Sequence, residues 1–125
     1  CAQECIVHPR YQEKILQARD RDTVLSGTST GYPVRAIKNR LTREFSVLEA
    51  SGAKTEELNQ LGAGKYGIAA LDGDVDTGSV LAGQISGLIR EVKPAAEIID
   101  SIILDAKKEI KGLKKRIMEE AGKWV

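Results

Sequence analysis

The clearest apolar pattern lies at the C-terminal end, where Ile98, Ile99, Ile102, Ile103, Ala106, Ile110, Leu113 and Ile117 recur at three- and four-residue spacing. This is one stripe of a helix that begins at Pro94, with lysine and glutamate over most of the other face. Gly112 falls inside it and costs about 1 kcal/mol relative to alanine, so a bend or split is expected there. The stripe is expected to be buried, against this chain or against the remainder of a larger protein.

Earlier patterns are shorter. Pro9 suits a first helical position, and Tyr11, Ile15 and Ala18 share one face, which predicts a helix over 9–19. Thr23-Val24-Leu25 and Val34-Arg35-Ala36-Ile37 are β-rich runs around a turn-forming stretch, read as a two-strand ribbon with a flexible tip. Such a ribbon is marginal alone and must lie on something else. Asn39 caps a helix carrying Leu41, Phe45 and Leu48 that ends at Ser51-Gly52, and Thr55 caps a shorter one that ends at Gly62. Seven of the 12 glycines then fall between Gly62 and Gly87, where the chain must turn tightly or come close to a ligand, and this is the best local candidate for function.

Composition narrows the classes. A chain of 125 residues, 42% hydrophobic, can bury one modest core. A net charge of +1 supplies no bulk attraction to nucleic acid or anionic membrane. No apolar run approaches the roughly 18 residues of a membrane span. The chain opens on Cys1 with no signal-peptide pattern, so it is expected to be the C-terminal piece of a longer cytoplasmic protein.

The candidate chemistry is sparse. Cys1, Cys5 and His8 are three donors where a zinc site needs about four, so reduced cysteines and no metal are expected. His8 reads as a helix-boundary residue, since no partner for acid-base work is adjacent. Asp72-Gly73-Asp74-Val75-Asp76 alternates carboxylates as a calcium loop does, but its sixth position is Thr77 and its twelfth Gly83, so a turn is expected. The lysines of the last helix alternate with acids, and only Trp124 offers an aromatic for stacking, which favours a solvated face over a nucleic-acid or membrane contact.

Three blocks carry a resemblance: Val7 to Leu16 (VHPRYQEKIL), Gly31 to Phe45 (GYPVRAIKNRLTREF) and Gly73 to Leu88 (GDVDTGSVLAGQISGL). They resemble the C-terminal part of flavin-dependent enoyl-(acyl-carrier-protein) reductase II, within the nitronate monooxygenase (2-nitropropane dioxygenase) superfamily. The resemblance implies a mainly α chain with a short β ribbon, taken from an FMN-binding (β/α)₈ barrel enzyme. Residues 1–19 would end the last barrel unit, 20–92 would form a cap domain, and 93–125 a long C-terminal helix or helix pair.

It further implies FMN held mainly by the missing barrel, NADH or NADPH as co-substrate, and an acyl-carrier-protein thioester or a small nitronate as substrate. The rest of the barrel is the implied partner, and a homodimer is compatible. No catalytic residue falls in this chain. Ser79, Gly83 and Gln84 would touch the cofactor, and Gly78 and Leu81 would line the substrate mouth. Relatives often carry histidine at Tyr32 and methionine at Leu81. An autonomous helical interaction module without catalysis is the competing reading.

Overall fold

The computed structural model describes residues 1–121 in two compact units, one made of Cys1 and Cys5–Val92, the other of Ala2–Glu4 with the segment from Lys93 onward. Trp124 lies outside the described residues. In the larger unit, α1 runs Pro9–Leu16, β1 Thr23–Ser26, β2 Val34–Ile37, α2 Arg40–Ala50, α3 Thr55–Gly62 and α4 Lys65–Ala70.

Helix α1 starts as its sequence suggests. The His8 ring caps it, Nδ1 accepting from the Arg10 N–H at 3.2 Å, so the lone imidazole is a helix-boundary residue. The helix ends at Leu16, short of residue 19, because the Ala18 N–H turns back to Ile15 and the Arg19 N–H is taken by the Asp22 carboxylate at 2.9 Å. The expected face is nonetheless correct. Tyr11 and Ala18 are buried with Ile37, Ala69, Ala70 and Val80 in the core, and Ile15 packs against them.

Strands β1 and β2 pair antiparallel with Thr23 opposite Ile37 and Ser26 opposite Val34. The ribbon is supported along its other edge: Ile37 N–H donates to the Val80 carbonyl at 2.9 Å and Ala82 N–H to the Arg35 carbonyl at 3.1 Å. Its tip is not the free loop expected from its small residues. The Glu49 carboxylate of α2 accepts from the N–H groups of Gly27 and Ser29 and from the Ser29 hydroxyl, at 3.1, 3.2 and 2.9 Å. Burial pushes that carboxyl up, but the hydrogen bonds from Ser29, Gly27 and Thr28 together hold it below the ordinary glutamate value.

Asn39 caps α2 in a capping box with Thr42. In α3, Thr55 is the first helical residue and Lys54 the cap, one position earlier than expected, while Glu56 and Glu57 occupy the first turn. Helix α4 was not foreseen in the glycine-rich stretch. Gly64, at φ 72°, makes the left-handed turn that separates it from α3.

The smaller unit is built on α5, Ala95–Ala121. Ala2 bridges Lys93 in parallel, and the Glu4 carboxylate accepts the Ala95 N–H at 2.9 and 3.1 Å, placing an anion at the helix start. One expectation fails here: the 27-residue helix passes Gly112 unbroken, the cost of one glycine being spread over a long hydrogen-bonded run. Of the two coverings expected for the apolar stripe, the described residues of this chain do not supply one, with Ile102 61% and Ile110 67% exposed. Among the described residues no helix is long and apolar enough to cross a membrane.

Candidate functional site

The segment from Gly78 to Gln84 lies along the free edge of β2, and each residue in it has a different environment. Gly78 is buried, and a Cβ there would stand 2.5 Å from both the Ala69 nitrogen and the Asp74 carbonyl oxygen, so only glycine fits. This is a packing requirement. Ser79 follows, its N–H donating to the Lys65 carbonyl at 2.8 Å. Val80 is fully buried, and Leu81, 38% exposed, faces Ala36 in an antiparallel bridge.

Two side chains fix this segment. The buried Asn39 amide donates to the Gly78 carbonyl at 2.7 Å and the Val75 carbonyl at 2.9 Å, while its oxygen accepts the Thr42 N–H at 3.0 Å. The Tyr11 hydroxyl donates to the Leu81 carbonyl at 2.9 Å, and its ring meets Tyr66 edge-on with centroids 6.3 Å apart. Burial, with the neighbouring Tyr66 phenol, pushes the Tyr11 hydroxyl up to about 12, so it keeps its proton and donates throughout the neutral range. Asp74 closes the preceding turn: its carboxylate accepts from the Thr77 hydroxyl and from the N–H groups of Thr77 and Asp76, which hold it below the usual aspartate value. The Asp72–Asp76 run is the turn its sequence suggests.

Ser79 and Leu81 line a cavity of about 330 Å³ enclosed by the ribbon tip and α2, α3 and α4. Its inner wall includes the buried Leu41 and Leu58 with Phe45; its rim carries the exposed Tyr32, Tyr66 and Leu81. Lys65 is the one charged side chain among the described lining residues. Gly78, Gly83 and Gln84 are not among them. Gly83 and Gln84 are exposed at the start of a 3₁₀ turn over Gln84–Leu88, and a Cβ on Gly83 would find its nearest neighbour, Ile85 Cγ2, only at 4.0 Å. The five expected site residues therefore separate into a buried packing position, two cavity residues and two open surface positions.

The walls from α3 and α4 were missed by sequence reasoning. Tyr66 was the available signal, a large amphipathic aromatic within a stretch otherwise read as loop. The cavity can bind and orient an apolar group. Among the described residues no three His, Cys, Asp or Glu side chains converge as for a metal ion.

Residues 1–105 match the family described as nitronate monooxygenase. The chain belongs to the nitronate monooxygenase family. Its architecture is similar to the solved structure of FabK from Thermotoga maritima, with a TM-score of 0.83 and 34% identity over 90% of this chain and 36% of that one. A methionine-to-alanine mutant of FabK from the same organism matches with a TM-score of 0.73 and 32% identity, over 90% of this chain and 33% of the other. The chain thus spans about a third of the length of these FabK structures. Membership of the nitronate monooxygenase family agrees with the resemblance carried by the three sequence blocks. The helix-rich chain with its two-strand ribbon thus matches one part of the FabK structures.

Proposed function

We propose that this chain is the cap-bearing C-terminal part of an FMN-dependent oxidoreductase that reduces enoyl-acyl-carrier-protein thioesters with NADH or NADPH. The carrying observation is the likeness to FabK over 90% of the chain at 34% identity. In this reading residues 1–19 end the last barrel unit, 20–92 form the cap, the C-terminal segment from 93 onward carries α5, and the rest of the barrel is the partner. The setting is the cytoplasm.

The residues present suit a flavin ring better than a flavin phosphate. The open space at Gly83 admits a flat group beside the backbone, and the segment from Gly78 to Gln84 has no positive-φ glycine nest to cradle an anion. When bound, FMN supplies the hydride relay between nicotinamide and substrate. The chain's own work is positional. Ser79, Gly83 and Gln84 would border the cofactor, Gly78 would fix the backbone at the substrate mouth, and Leu81 would close that mouth and exclude water. Tyr11 and Asn39 hold the segment in place.

A second reading, oxidation of small alkyl nitronates with oxygen, is favoured by the family description itself. The two separate in the flavin-loaded intact gene product. Enoyl thioester-dependent NADH or NADPH oxidation without oxygen uptake supports the reductase. Nitronate-dependent oxygen uptake with no thioester turnover sinks it.

A further inference from the structure

We propose that the cavity between the ribbon and α2–α4 is the tail pocket for the acyl chain of the thioester, and that Phe45, seated on Gly62, sets the longest chain it accepts. The inference rests on the reductase reading and adds a specificity determinant to it. The cavity's graded exposure gives it a direction: Leu58 and Leu41 are 1% and 4% exposed at the inner wall, whereas Tyr32 is 81% and Tyr66 52% exposed at the rim. A ligand with an apolar tail and a polar head enters tail first, which leaves its head among Ser79, Lys65 and Leu81.

The wall chemistry selects an apolar tail. Among the described residues no buried side-chain nitrogen or oxygen lacks a hydrogen-bond partner, so the inner wall presents no unmet polar demand. Phe45 limits depth. A Cβ on Gly62 would stand 3.2 Å from Phe45 Cζ, which shows the ring lying against the bare helix backbone. Removing the ring lengthens the cavity, and adding a side chain at position 62 drives the ring inward and shortens it. A tail that fits gains about fourfold in affinity for each methylene brought out of water, until it meets the ring.

The test uses the flavin-loaded intact protein and two series of thioesters from four-carbon to twelve-carbon acyl chains. Saturated thioesters are titrated by calorimetry to read the pocket, and enoyl thioesters are turned over to read the reaction. In the unaltered protein affinity should climb with length and then level off. Phe45→Ala should move the plateau to longer chains and Gly62→Val to shorter ones, by about fourfold in Kd per methylene gained or lost. Opposite shifts cannot come from general damage, and Phe45→Met supplies the same direction if the alanine variant does not fold. Affinity independent of length, or a plateau unmoved in both directions, overturns the tail pocket even if enoyl thioesters are reduced. Length-dependent binding that shifts as described, with no enoyl turnover, supports the pocket and sinks the reductase reading instead.

Discussion

Asn39 provides the sharpest energetic test, because one amide joins a helix start to the loop that precedes the site. Truncation to alanine removes a helix cap, a loss of about 1 kcal/mol. It also strips the donor from the Gly78 and Val75 carbonyls, now bonded at 2.7 and 2.9 Å. A buried carbonyl left without a partner costs about 1–3 kcal/mol. Allowing for partial relaxation, Asn39→Ala should lose about 3–5 kcal/mol, a large share of the 5–15 kcal/mol typical of a domain. The discriminating variant is Asn39→Asp. It keeps the oxygen that accepts the Thr42 N–H but sets a carboxylate against two carbonyl oxygens, so it should be at least as unstable as the alanine variant, although aspartate is an equally good cap. Urea unfolding at neutral pH, followed by circular dichroism, measures all three proteins. Unfolding of Asn39→Asp at the wild-type midpoint would show that capping is the whole of its role, and the anchoring of Gly78 would have to be abandoned.

Four further outcomes are expected. Gly78→Ala forces a Cβ into backbone atoms and should lose about 3 kcal/mol by the same urea assay, whereas Gly83→Val meets only open space, leaves stability unchanged, and lowers turnover more than flavin content in the loaded enzyme; equal stabilities for the two variants contradict the division between packing and surface glycines. Ile102→Asp should change thermal unfolding of this chain by no more than about 0.5 kcal/mol, since Ile102 is 61% exposed, and a loss of several kcal/mol would place it in a core. Glu49 has a depressed pKa when folded, so its contribution to the ribbon tip is present above the unfolded glutamate value and is lost as pH falls through the folded one. Hydrogen exchange at the Gly27 and Ser29 amides should therefore report acid-induced loosening relative to the rest of the ribbon, and Glu49→Gln should remove most of that pH dependence. FMN titrated against this chain alone should bind weakly or not at all, because no phosphate nest lies in the Gly78–Gln84 segment, and sub-micromolar binding refutes that assignment.

Local chemistry made much of this protein legible from its residues. His8-Pro9, the Asn39 cap and the β-rich runs of the ribbon act within a few residues, so α1, α2 and the β1–β2 pair lie close to where their patterns put them. The Asp72–Asp76 turn was equally local, with Asp74 bonding groups two and three residues ahead. Helix α4 was hidden because Gly67 interrupts a span of only six residues, and packing of Ala69 and Ala70 in the core with Val80 and Tyr11 stabilises what so short a run does not. The glycines of the glycine-rich block do different things. Gly78 is required by the backbone of Ala69, nine positions earlier, and Gly83 by no close neighbour among the described residues. The cavity draws its walls from residues between Ser26 and Leu81, and its key tether joins Tyr11 to Leu81 across 70 positions. Periodicity and capping report interactions within one or two turns of chain, so the elements and the family could be read from sequence. Which side chains face one another depends on burial of surfaces distant in the chain, and that was decided only by the tertiary structure.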